Sequence, residues 1–206
     1  TIDALCKILT RKSNEYGRPI YLIADEPYRE LVYSDVDVPY IMNHYANTLV
    51  CYSYAKSLSL PGERIGYIAV CPDMEDGKNI YLAICGAGRS LGYVCAPSLF
   101  QQVIAKCLDA KVNIDAYKAN RDLLYTNLTD FGFECVKPDG AFYLFVKAPE
   151  ANAYSFFERA KAHELLVVPC DDFGARGYVR IAYCTDYDMI KRSLPAFKAL
   201  AEEYGL

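Results

Sequence analysis

The stretch Ser53-Tyr54-Ala55-Lys56-Ser57-Leu58-Ser59-Leu60-Pro61-Gly62-Glu63-Arg64-Ile65-Gly66-Tyr67 decides how this chain reads. It follows an apolar run, Thr48 to Tyr52, and places one lysine, Lys56, just past the end of that run. Hydroxyls at Ser53, Ser57 and Ser59 surround the lysine, and Arg64 comes after the Pro61-Gly62 turn. A lysine at such a place can act as an amine nucleophile, and hydroxyls with a guanidinium bind phosphate. The combination points to a small molecule that carries both an aldehyde and a phosphate.

Upstream, residues 2 to 16 have the apolar spacing of an amphipathic helix, which Gly17 and Pro19 close. Ile20 to Ala24 is a short apolar run without polar alternation, as expected of a strand buried on both faces of a parallel sheet. Asp25-Glu26-Pro27-Tyr28 follows at once, so two carboxylates stand at the carboxyl end of that strand, the edge where open α/β sheets bind ligands. Ile65 to Cys71 forms a third apolar run. Gly86-Ala-Gly-Arg-Ser-Leu-Gly92 invites a dinucleotide-binding reading, but its third glycine is one position late and no buried strand feeds it; a flexible loop is the better expectation.

A helix is expected from Pro97-Ser98 to about residue 108 and another from about 112 to 131, ended by Gly132. Beyond it the pattern changes. Phe133 to Lys137, the Pro138-Asp139-Gly140 turn and Ala141 to Val146 read as a hairpin. Asn152 caps a helix, Leu165 to Pro169 and Tyr178 to Cys184 read as strands, and Asp186 caps a final helix. The fold class is therefore α/β with a mainly parallel sheet over residues 1–110, followed by a smaller α+β unit over 111–206.

Composition narrows the chemistry. The 206 residues are 53% hydrophobic, enough for a sizeable core, and the net charge of −4 shows no basic cluster that would recruit nucleic acid or an anionic membrane. No apolar run approaches the roughly 18 residues of a membrane-spanning helix. Nine cysteines without a Cys-x-x-Cys pair read as reduced thiols of a cytoplasmic protein rather than as disulfides or a zinc site. His44 and His163 share no metal-ligand spacing and read as structural or solvated. The chain starts at Thr1 inside a helical pattern, which reads as a cut.

Taken together, Asp25-Glu26-Pro27-Tyr28, the Ser53 to Lys56 Ser-x-x-Lys and Gly62-Glu63-Arg64-Ile65-Gly66-Tyr67 resemble the signature of the class I/II aminotransferases, the fold-type I pyridoxal-phosphate enzymes. The resemblance implies the later part of a pyridoxal-phosphate-binding large domain followed by the family's small domain, about the C-terminal half of the family's length. It implies Asp25 on the ring nitrogen of pyridoxal 5'-phosphate, Tyr28 on the ring oxygen, Ser53 and Arg64 on the phosphate, and Lys56 as the Schiff-base lysine. Tyr178-Val179-Arg180-Ile181-Ala182 is similar to the family's arginine strand, which makes Arg180 the clamp for a substrate carboxylate, and the Pro138 to Tyr143 turn is similar to its small-domain hairpin. Amino acid and 2-oxo acid substrates and a homodimer are implied as well. Arg89 and Tyr93 are candidates for contributing across the dimer, with surface or packing roles the weightier expectation.

Other readings remain at this stage. A carbon–sulfur β-lyase or another enzyme on the same fold fits the motifs equally, as does an inactive piece that only folds and self-associates. Ser-x-x-Lys also serves penicillin-binding proteins and serine β-lactamases, but their Lys-Thr-Gly strand is not found here.

Overall fold

The computed structural model describes residues 1–206, which divide into two units: Thr1–Glu30 with Val36–Val112, and Leu31–Asp35 with Asn113–Leu206. In the first unit the elements are α1 (Ile2–Tyr16), β1 (Leu22–Asp25), β2 (Thr48–Ser53), α2 (Tyr54–Ser57), β3 (Gly66–Val70), α3 (Gly77–Ser90) and α4 (Ser98–Lys106). Gly17 closes α1 in the left-handed conformation at φ 63°, with its N–H on the Asn14 carbonyl.

The three strands lie in the order β1-β2-β3. β1 and β2 are parallel, as the repeated pattern of apolar run followed by polar strand end implies; β3 runs antiparallel to β2. An apolar run carries no direction, and the eight residues between α2 and β3 allow the chain to turn straight back without a crossover helix. The expectation of burial on both faces of β1 is corrected: Val50 in the centre is buried, but Ile23 is 65% exposed, because β1 is the edge strand and the packing that buries its in-register neighbour Leu49 does not extend over it.

Residues 86 to 92, read from the sequence as a flexible loop, form the end of α3. Ile80 and Ile84, one turn apart, pack against the buried cluster Leu49, Cys71 and Met74, and this packing outweighs the cost of Gly86 and Gly88 in a helix, about 1 kcal/mol each. Gly92 at φ 87° then stops the helix, with Tyr93 N–H on the Gly88 carbonyl at 2.8 Å. The glycine spacing there is a helix terminus, not a dinucleotide loop.

The second unit contains α5 (Ile114–Asp130), β4 (Cys135–Val136), β5 (Tyr143–Lys147), α6 (Ala153–Ala162), β6 (Val168–Pro169), β7 (Tyr178–Ala182) and α7 (Tyr187–Tyr204). Its sheet is antiparallel throughout, in the order β4-β5-β7-β6. The hairpin pairs Cys135 with Val146 and Val136 with Phe145. Leu124, Leu128, Leu144, Val146, Phe156, Val179 and Leu200 form the buried core, and the side chains of Asn113, Asn152 and Asp186 cap their helices. The Pro138-Asp139-Gly140 loop has a second task, because its backbone pairs with Leu31–Tyr33: Tyr33 N–H donates to Asp139 O at 2.9 Å and Ala141 N–H to Leu31 O at 2.8 Å. The guanidinium of Arg121, 5% exposed, lies 4.7 Å from the Tyr33 ring and donates to Pro138 O at 3.0 Å.

Gly66 is the tightest point of the first unit. A Cβ there would lie 2.2 Å from the Tyr52 carbonyl oxygen, so Gly66→Ala must push β3 away from β2. We expect it to lower stability by about 1–3 kcal/mol, read as an earlier denaturation midpoint; a parent-like midpoint would contradict the packing described here.

Candidate active site

The carboxyl ends of β1 and β2 lie side by side. Asp25 is the last residue of β1 and pairs in register with Cys51; Ser53 is the last of β2 and pairs with Gly66, the first of β3. The two-residue period of a strand puts Asp25, Cys51, Ser53 and Gly66 on one face of the sheet. A carboxylate and a hydroxyl thus share one face at one sheet edge, and glycine keeps the neighbouring position bare.

Ser53 is extended at φ −136°, and its Oγ accepts from Ala55 N–H at 3.2 Å, starting the single turn α2 that carries Lys56. Lys56 Nζ lies 5.8 Å from the centre of the Tyr28 ring, within cation–π range. Pro27 between Asp25 and Tyr28 brings the phenol to this place three residues after the strand-end carboxylate. Beyond α2 the chain takes left-handed backbone at Ser59, φ 54°, and at Arg64, φ 52°; then Tyr54 N–H donates to Ile65 O at 3.1 Å. The backbone therefore returns Arg64 to the start of the lysine turn. The Arg64 side chain is exposed, and its one hydrogen bond is from Nη1 to Pro61 O at 2.9 Å.

Asp25, Tyr28, Ser53, Lys56 and Arg64 are thus brought together at one sheet edge of the first unit. Arg180, on β7, belongs to the second. Its guanidinium carbon lies 4.3 Å from the centre of the Tyr143 ring and 5.4 Å from that of Phe173, and its Nε is buried without a hydrogen bond. Nearby, burial raises the Cys170 thiol pKa, which the Arg180 charge partly offsets.

Sequence reasoning missed two neighbours of this edge. Cys51 shares the Asp25 face, where burial and then the Asp25 carboxylate raise its pKa and keep it a thiol. Tyr52, on the opposite face, packs among Tyr54 and Tyr67. Among 19 tyrosines nothing marks it; only its place directly before Ser53 could have. The two histidines stand apart from the site: His44 Nδ1 is 2.7 Å from Asp3 and His163 Nε2 is 2.8 Å from Glu203. Arg89 is exposed and Tyr93 is 77% exposed, so neither packs within this chain.

The family model for aminotransferase class I and II matches residues 1–197. The chain belongs to this family. A solved amino transferase from Eubacterium rectale is 57% identical, with a TM-score of 0.94 over 100% of this chain and 52% of its own. The Thermus thermophilus aspartate aminotransferase tetra mutant complexed with tryptophan is 26% identical, with a TM-score of 0.82 over 96% of this chain and 52% of its own. Aromatic-amino-acid aminotransferase 2 of Thermococcus litoralis is 26% identical over 220 residues, 97% of this chain and 55% of its own. The chain spans about half the length of the curated relatives it matches. Membership removes the penicillin-binding reading of Ser53 and Lys56, and the α/β architecture expected from the sequence is that of the solved relatives.

The family implies pyridoxal phosphate, and the residues present suit it. The edge offers a carboxylate, a phenol, an amine, a hydroxyl and a guanidinium beside a bare glycine, which is the donor set that a phosphorylated pyridine aldehyde requires. The left-handed backbone at Arg64 costs about 1–2 kcal/mol relative to glycine in the same conformation. Arg64→Gly is accordingly expected to unfold no earlier than the parent in a denaturant titration, yet to bind pyridoxal phosphate at least about tenfold more weakly through the lost charge-assisted bonds. Unchanged affinity would remove Arg64 from the site.

Proposed function

We propose that the protein containing this chain moves an amino group between an α-amino acid and a 2-oxo acid, with pyridoxal 5'-phosphate as its cofactor. The observation that carries the reading is the convergence of Lys56 with Asp25, Tyr28, Ser53 and Arg64 at one sheet edge in a chain of this family. When bound, the cofactor supplies an aldehyde that captures amines and a pyridinium ring that accepts electrons from the substrate α carbon.

The chain's own residues do the rest. Asp25 holds a proton on the pyridine nitrogen by accepting its hydrogen bond, and Tyr28 donates its phenol proton to the ring oxygen. Ser53 Oγ and the two-pronged Arg64 guanidinium hold the phosphate. Lys56 would hold the cofactor aldehyde through its Nζ, and when free that Nζ would take the proton from the substrate α carbon and return it during the second half of the exchange. Arg180 binds the substrate α-carboxylate. With Tyr143 and Phe173 against its guanidinium, the unused Nε is a donor to a carboxylate oxygen.

In this reading residues 1–110 belong to the cofactor-binding large domain and 111–206 to the small domain. We read the protein as cytoplasmic, in keeping with nine free thiols and with the lack of any helix long and apolar enough to cross a membrane. We read it also as a homodimer, in keeping with the exposed apolar side chains Tyr81, Leu82, Leu91, Tyr93, Val94 and Leu99 on α3, α4 and the turn between them.

The test is steady-state transamination by the intact protein and its Lys56→Ala variant. The variant is expected to lose turnover by about 10⁴-fold or more while keeping its fold. Substantial transamination without Lys56 would overturn the assignment.

A further inference from the structure

Behind the sheet edge, one side chain joins two loops that are separate in sequence. Tyr52 lies between Cys51 and Ser53 on β2, so its side chain emerges on the face opposite Asp25 and Ser53. Its ring stacks on Tyr67 at 5.1 Å with 26° between the planes and meets Tyr54 edge-on at 5.2 Å and 81°. Its phenol oxygen is 2.8 Å from Glu30 Oε1 and 2.8 Å from Ser57 Oγ.

The direction of these bonds follows from proton count. A phenol has one proton and a carboxylate only accepts, so the phenol proton goes to Glu30 and the Ser57 hydroxyl donates to the phenol oxygen. Burial, reinforced by the Glu30 carboxylate, pushes the Tyr52 pKa up to about 12, so the chain Ser57–Tyr52–Glu30 stays intact across neutral pH. Ser57 is 7% exposed and directly follows Lys56; Glu30 ends the segment that begins with Asp25 and contains Tyr28. The aromatic packing fixes the ring, and the two hydrogen bonds transfer that fixity to both loops.

We propose that Tyr52 is a positioning residue that locks the Lys56 turn to the Asp25–Glu30 loop, without touching cofactor or substrate. The proposal rests on the reading of Lys56 as the reacting amine. Tyr52→Phe keeps the ring and removes both bonds; Glu30→Ala removes one anchor, and Glu30→Gln restores an acceptor at the same place.

The experiment uses the intact protein in two measurements: amide hydrogen exchange over 26–30 and 54–58 without cofactor, and pyridoxal phosphate addition with borohydride reduction, mapped by peptide mass spectrometry. Tyr52→Phe is expected to raise exchange in both segments together and to lower the labelling of Lys56 relative to other lysines by about tenfold, the combined effect of two hydrogen bonds. Glu30→Ala is expected to follow in the same direction and Glu30→Gln to remain near the parent, so the outcome does not depend on Tyr52→Phe alone remaining folded. Parent-like exchange and labelling in Tyr52→Phe, or loosening confined to one segment, would overturn the proposal. If the parent itself shows no preference for Lys56, the reading of that lysine fails and the proposal fails with it; if only the variants keep their preference unchanged, the lysine stands and the positioning role does not.

Discussion

Between Tyr52 and Gly66 two strands approach so closely that a single methyl group would lie 2.2 Å from a carbonyl oxygen. Only glycine permits that approach, and the geometry of the first unit's sheet edge follows from it. With Gly66 held opposite Ser53, the loop after α2 must return to the edge it left, and the Tyr54 to Ile65 backbone bond delivers Arg64 there in a left-handed conformation. Backbone pairing thus sets where the amine of Lys56, the hydroxyl of Ser53 and the guanidinium of Arg64 leave the chain, and local contacts of those side chains with Tyr28, Ala55 and Pro61 add to it. Rigid strand ends hold such groups more closely than loops do, which suits chemistry that depends on aligned donors.

The proposed phosphate-binding pair and the proposed reacting amine were legible in the sequence because their signals are local. An apolar run ending in Asp25, another ending in Ser53, and a Pro-Gly turn before Arg64 each announce a strand end or turn within a few residues. What was not legible depends on long-range packing. Gly86 and Gly88 read as loop because their local preference is against helix, while Ile80 and Ile84 win by packing on Leu49, Cys71 and Met74. The direction of β3 was hidden because an apolar run reads the same both ways. The exposure of Ile23 was hidden because burial of a strand depends on neighbours, and β1 is an edge. Nothing local marks Leu31–Asp35 as part of the second unit; its bond partners Asp139 and Ala141 are more than a hundred residues away.

The second unit treats its arginine differently. Arg180 lies against Tyr143 and Phe173, where ring faces offset part of the lost hydration, yet Nε has no hydrogen bond. A buried donor left open costs roughly 1–3 kcal/mol, and such costs persist where a ligand later satisfies them. Arg121 in the same unit is the contrast: buried as a whole residue where Arg180 is half-buried, it is paired with Asp122 at 2.8 Å and bonded to Pro138 O, so it holds the fold and leaves nothing open. The more buried arginine is the satisfied one, and the half-buried Arg180 is the one that keeps an unfilled donor.

The central claim is that one sheet edge holds one cofactor. It is tested most directly by a crystal structure of the intact protein grown with pyridoxal 5'-phosphate. The account predicts continuous density from Lys56 Nζ into the cofactor, with the ring nitrogen on Asp25 and the phosphate on Ser53 and Arg64. Cofactor bound at another lysine, or with its phosphate away from Ser53 and Arg64, would contradict it.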